Sequence, residues 1–166
     1  MTPEQARTRF HELRAERSKV APRELDAIWA ALPTVRAAEL LGAWRGAGFA
    51  TGHRLNEVLR EHRWHGKRFH SLDRVQPLIC RDADGALFSH VELGKGEASL
   101  WDVEFRGEVT ATMVYDGQAI FDHFKPVDDR TLMGIMNGGS ELVRDQGEHF
   151  YFLLERDTPP ERDEQR

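Results

Sequence analysis

Alternation of apolar and polar positions dominates the second half of the chain. Over Ser99 to Phe105, Trp101, Val103 and Phe105 fall on one side and Asp102 and Glu104 on the other; over Glu108 to Tyr115, Val109, Ala111, Met113 and Tyr115 share a side. A period of two is the signature of a half-buried strand. Asp116-Gly117, placed between such runs, marks a hairpin. Gln118 to Lys125, Arg130 to Asn137 and His149 to Glu155 follow as strands, divided by Pro126 with Asp128-Asp129 and by Gly138-Gly139. Upstream, Arg74 to Arg81 and Ala86 to Leu93 read as strands around the Asp82-Ala83-Asp84-Gly85 turn, with Pro77 arguing for an edge or a bulge in the first.

The first part of the chain has helical spacing instead. Thr2-Pro3 is an N-cap followed by proline at the first helical position, and Phe10 and Leu13 give a thin apolar face that predicts a surface arm. A second helix starts near Pro22, carries Leu25, Ile28, Trp29 and Leu32 on one side and ends at Pro33. Thr34 caps a short turn, Val35 to Leu41, that Gly42 stops. Ala43 to Ala50 reads as a strand, and Gly52 to His62 as a helix with Leu55, Val58 and Leu59 on its apolar face. Together these elements predict a mainly β (α+β) fold with seven or eight strands joined by short turns. A closed antiparallel β-barrel is expected, because closure removes sheet edges. The expected organisation is an N-terminal helical arm over 1–34, one β domain over 35–156, and a charged, proline-containing tail over 157–166 that is expected to be disordered.

Composition narrows the function classes. The chain has 166 residues and a net charge of -5, so no overall field draws it to nucleic acid. Its one cysteine, Cys80, cannot form an internal disulfide, the N-terminus lacks an apolar leader, and no stretch reaches the roughly 20 apolar residues of a membrane span. The expectation is a cytoplasmic protein without a membrane span.

The most distinctive string is Leu41-Gly42-Ala43-Trp44-Arg45-Gly46. Glycines flanking a strand tryptophan let a large indole lie against close backbone and plug one end of a barrel. This string resembles the GXWXG family. The likeness continues through Thr51-Gly52-His53, Trp64-His65-Gly66-Lys67-Arg68-Phe69 and Val75-Gln76-Pro77-Leu78. Tyr115-Asp116, Ile120, Asp122, Phe124, Val127-Asp128-Asp129 and Leu132-Met133-Gly134 resemble the domain of unknown function that usually follows in that family. The resemblance places the family's two parts at 35–93 and 98–156. A weaker resemblance, on Gly42-Ala43-Trp44-Arg45-Gly46, is to lipocalins and to the haem-binding nitrobindins, and it implies a lipocalin-like barrel holding an apolar ligand. The later lipocalin signatures are not evident, and a helix between the first two strands departs from that pattern.

Candidate chemistry is sparse. Ile120, Asp122 and Phe124 share one face of a strand and Phe121, His123 and Lys125 the other. If the first face is interior, Asp122 is a carboxylate among apolar groups, which must be paired or neutralised. His123 is the candidate haem ligand in the nitrobindin-like alternative; otherwise no cofactor is expected. His62 and His65 lack a third ligand at metal spacing, and Ser140 and Cys80 sit in no recognised nucleophile setting. The leading expectation is a non-catalytic protein binding a fatty acyl chain, phospholipid or other apolar small molecule. Trp44, Trp101, Phe105, Met113, Phe124 and Met133 would line the cavity, with His53, Lys67 and Asp122 at the ligand's polar end. An enzyme acting on a small hydrophobic substrate is the rival, with no complete catalytic constellation in view, and the N-terminal helices leave a homodimer open.

Overall fold

A computed structural model describes residues 1–158 of the 166. The expectation of a disordered tail therefore falls almost entirely outside the described residues. Nine strands form one antiparallel sheet: β1 (Gly42–Gly48), β2 (Trp64–Ser71), β3 (Arg74–Arg81), β4 (Leu87–Ser89), β5 (Ala98–Phe105), β6 (Glu108–Tyr115), β7 (Ile120–Asp128), β8 (Thr131–Gly138) and β9 (Phe150–Arg156). Two longer helices precede them, α1 (Pro3–Arg14) and α2 (Pro22–Ala31), then a 3-10 turn at Ala37–Leu40; α3 (Leu55–Glu61), α4 (Val91–Gly94) and α5 (Ser140–Val143) fill connections. Ala86 to Leu93 is therefore not one strand. It breaks after Ser89, because His90 turns and its Nδ1 accepts from the Leu93 amide to start α4.

The pairings return on themselves. In the order β2-β1-β9-β8-β7-β6-β5-β3, each strand bonds its neighbour and β2 also pairs β3, while β4 hangs outside on β3. The thinnest seam is β3–β5, where Val75 opposite Ala98 is the one registered pair and the Leu100 amide donates to the Leu72 carbonyl at 2.7 Å.

Two apolar clusters share this sheet. Inside the ring lie Trp44, Phe69, Leu78, Met113, Phe124 and Phe152, among others. Outside it, α1 and α2 cover the β7–β8–β9 face, packing Phe10, Leu25, Ile28 and Trp29 on Met133, Ile135, Tyr151 and Leu153. Helix α1 is anchored and does not project: Ala6, Phe10 and Leu13 are buried, Phe10 meets Phe49 edge-on, and a Thr2–Gln5 capping box closes its first turn. Lys125 pins α2 from below, its buried ammonium donating to the Trp29 carbonyl at 2.8 Å and to Glu108 at 2.6 Å.

The Gly-x-Trp-x-Gly string does what its residue types suggest. Gly42 has φ of 127°, a backbone region that disfavours side chains. Trp44 points into the ring, donates from Nε1 to the Leu40 carbonyl at 2.8 Å, and is covered by the Arg156 guanidinium 4.0 Å from its ring centre. A Cβ at Gly46 would fall inside the Trp64 ring, so this glycine is what allows Trp64 to lie across β1.

Candidate functional site

The ring interior contains an ion pair. Lys67 on β2 and Asp122 on β7 are buried at 2% and 0% exposure, with Nζ 3.1 Å from Oδ2. The contact is close but not aligned as a hydrogen bond. Lys67 donates instead to the Pro77 carbonyl at 3.2 Å, and among the described residues neither Asp122 oxygen accepts a hydrogen bond. Burial drives both groups toward neutrality, lowering Lys67 and raising Asp122, while each partner's charge opposes the shift of the other. A buried carboxylate whose one close donor among the described residues is this ammonium is short of the roughly two or three hydrogen bonds such a group ordinarily accepts.

Aromatic rings surround the ammonium. Its Nζ sits 5.5 Å from the Trp64 centroid, 5.8 Å from Tyr115 and 5.5 Å from Phe152, the geometry of a cation held by ring faces. Tyr115 is raised well above a free phenol by burial and by the Asp122 charge. Burial likewise raises the Cys80 thiol, with Lys67 opposing. The local sequence explains the convergence. Asp122 stands opposite Met113 on β6, and strand alternation carries Tyr115 to the same face. Phe152 lies across Gly134, where a Cβ would enter its ring.

Of the residues expected at the site, the ring brings together Trp44, Lys67, Met113, Asp122 and Phe124. It leaves four elsewhere. Trp101 is 59% exposed on the outer face of β5, where its Nε1 bonds Ser99; Leu100 is the inward residue. Phe105 is also outward, edge-on to Trp29 and stacked on His123 at 3.9 Å. Met133 lies beneath α1 and α2 in the outer cluster. His53 is buried but caps structure, contacting the Val143 carbonyl at 2.9 Å through Nε2 and accepting from the Leu55 amide at Nδ1; burial lowers its pKa. Missing from that expectation were Trp64, Cys80, Tyr115 and Phe152 as neighbours of the pair.

His123 does not fit an axial haem ligand. It faces outward, Nδ1 meets Thr112 Oγ1 at 2.8 Å, Nε2 meets Asn137 at 3.1 Å, and Phe105 covers the ring. Burial, then the charges of His149 and Arg106, pull its pKa down to about 4. His62 and His65 are separately engaged, with the Val58 carbonyl and Asp157. Among the described residues no three His, Cys, Asp or Glu side chains gather as a metal site, and no helix is long and apolar enough to cross a membrane.

Fold and site thus define a mainly β protein, a ring of antiparallel strands flanked by helices, with a buried lysine–aspartate pair inside. The chain belongs to the GXWXG protein family: residues 27–85 match its model and residues 96–156 match the domain of unknown function DUF4334. A crystal structure of a protein from Thermomonospora curvata is 35% identical, with a TM-score of 0.83 over 93% of this chain and 99% of that one. Among curated proteins there is no match to this chain. The two matched segments do not form separate bodies. β1 to β3 come from the first and β5 to β9 from the second, they close on each other at β1–β9 and β3–β5, and Lys67 and Asp122 contribute one member of the ion pair from each.

Proposed function

We propose that this protein binds an apolar small molecule inside a closed, lipocalin-like barrel, with the ligand's polar end at Lys67 and Asp122 and no chemistry performed on it. The observation that carries the reading is the buried Asp122 carboxylate, which takes no hydrogen bond within the described residues while lying among Phe69, Met113, Phe124 and Phe152. A carboxylate left short of donors, with its charge already opposed by Lys67, asks for a hydroxyl or amine rather than a second acid. A lipid-like alcohol or amine meets that demand better than a free fatty acid. The β3–β5 seam, with its single registered pair, is the natural place of entry.

The test is displacement of an environment-sensitive apolar fluorophore from delipidated protein. Long-chain alcohols should compete at micromolar concentration, at least tenfold better than the matching acids, and Asp122→Asn should narrow that difference. Failure of every probe and competitor to bind would refute the reading. A second reading rests on the opposed shifts of Lys67 and Asp122 toward neutrality, which suit a proton-transferring pair. It predicts that a bound ligand is recovered chemically altered from the wild type and unaltered from Asp122→Asn.

A further inference from the structure

A second feature lies along β1 and the start of β2, and shares Trp64 with the surroundings of the buried pair. A groove of about 440 Å³ crosses β1 at Gly46 and Ala47, with Trp64, His65 and Leu153 also on its lining. Arg14, Arg45, Arg63 and Arg81 line it, against one lining carboxylate, Glu155. This concentration of guanidinium stands out in a chain of net charge -5.

The four arginines are not equally occupied. Arg14 and Arg45 share Glu155, at 3.4 and 3.3 Å, and Arg45 also lies 3.7 Å from Asp157, which His65 contacts at 2.8 Å. Arg63 and Arg81 meet no carboxylate among the described residues. Arg63 donates to the Asp82 carbonyl at 2.7 Å, and Arg81 donates to the Gly85 carbonyl at 2.9 Å while facing His65 Nδ1 at 3.4 Å. The nearby Asp82 accepts from the amides of Asp84 and Ala86 through Oδ1. The backbone brings the two residues together: the Arg81 amide donates to the Arg63 carbonyl at 3.0 Å, and Arg63 holds a left-handed φ of 54°, uncommon for a side chain of this size.

We infer that this groove binds a phosphomonoester. Two guanidiniums that meet no carboxylate among the described residues line one groove, and a planar guanidinium fork matches the oxygens of a phosphate dianion bidentately. The groove's volume exceeds that of a phosphate group and takes an organic body along Gly46 and Ala47. Arg14 and Arg45, which share Glu155, complete the lining.

Isothermal titration of the full-length protein with 1-naphthyl phosphate in 150 mM salt tests this, beside titration with vesicles of phosphatidic acid in phosphatidylcholine. The expected result is saturable one-to-one binding, weakened at least tenfold in Arg63→Gln/Arg81→Gln and unchanged in Arg23→Gln, which lies on α2 away from the groove. Binding of the soluble ester alone identifies a free metabolite class; binding of the vesicles as well identifies a lipid headgroup. Should the double variant fold poorly, Arg81→Lys keeps the charge and removes the fork, and at least a threefold loss is expected. No saturable binding of either probe, or equal binding by wild type and both arginine variants, overturns the inference.

Discussion

Removing Asp122 strands a buried lysine. In Asp122→Ala the Lys67 ammonium keeps the Pro77 carbonyl and three aromatic faces but loses the charge 3.1 Å away. Breaking a buried pair in this way costs about 3–5 kcal/mol, a large part of the roughly 5–15 kcal/mol that holds a domain folded. At about 2–4 °C per kcal/mol for a domain of this size, the melting temperature should fall by roughly 6–20 °C. The pH dependence has a definite sign. The folded Lys67 pKa lies below its unfolded value, and without Asp122 it falls further. Between that pKa and about 10.4 the unfolded chain binds more protons, so the variant's stability rises with pH and its deficit against wild type shrinks from pH 7 toward 10. Replacing both partners, as in Lys67→Met/Asp122→Leu, removes both charges from the interior and should return stability to within about 1 kcal/mol of wild type or above it. Urea unfolding at pH 7 of wild type, Lys67→Met, Asp122→Leu and the double variant measures this cycle, with Asp122→Ala beside them. A deficit under about 1 kcal/mol in Asp122→Ala, or simple addition of the two single effects in the double variant, would refute the reasoning.

Three further outcomes are expected. Stability should be full above about pH 6.5 and decline as pH falls toward 4, because His123 stays neutral in the fold down to about 4 and charges earlier in the unfolded chain; this is worth up to about 3 kcal/mol, and His123→Gln should flatten the profile in urea titrations across that window. His53 and His149, also lowered by burial, add with the same sign. Gly46→Ala should cost about 1–3 kcal/mol by pushing Trp64 off β1, and adding Trp64→Leu should recover part of that loss in the same assay. Lys125→Met should free α2, since the Trp29 carbonyl and Glu108 both lose their donor, costing about 1–3 kcal/mol and speeding proteolytic cleavage between α2 and β1.

Strands with one polar face were legible from alternation. β6 and β7 carry Ala111, Met113 and Tyr115, and Ile120, Asp122 and Phe124, on the inward sides that the period assigns. The turn glycines and the helix-opening prolines also marked their elements. β8 was not legible in this way, because Thr131 through Ile135 are buried without a break. The interior buries one side and α1 and α2 bury the other, so its alternation vanishes and Met133 could be placed on either face. In β5 the large aromatics Trp101 and Phe105 stand outward while the smaller Leu100 faces in, so side-chain size misled where the parity was sound. Lys67 and Asp122 were each expected from the sequence at the polar end of a ligand. Their pairing was not, since it depends on β2 and β7 meeting across the ring, and the same holds for the rings of Trp64, Tyr115 and Phe152. Tyr115 alone was recoverable, as the next inward position after Met113.

Native mass spectrometry of the protein as purified from cells, under mild and then harsh desolvation, addresses the interior most directly. A ligand held at Lys67 and Asp122 predicts a releasable mass of one small apolar molecule bearing a hydroxyl or amine, retained by wild type and by Trp101→Ala and lost from Lys67→Met/Asp122→Leu. A wild-type protein that flies at its bare mass, and stays there after incubation with a cellular lipid extract, would contradict the account and mean that the ring is filled by its own side chains.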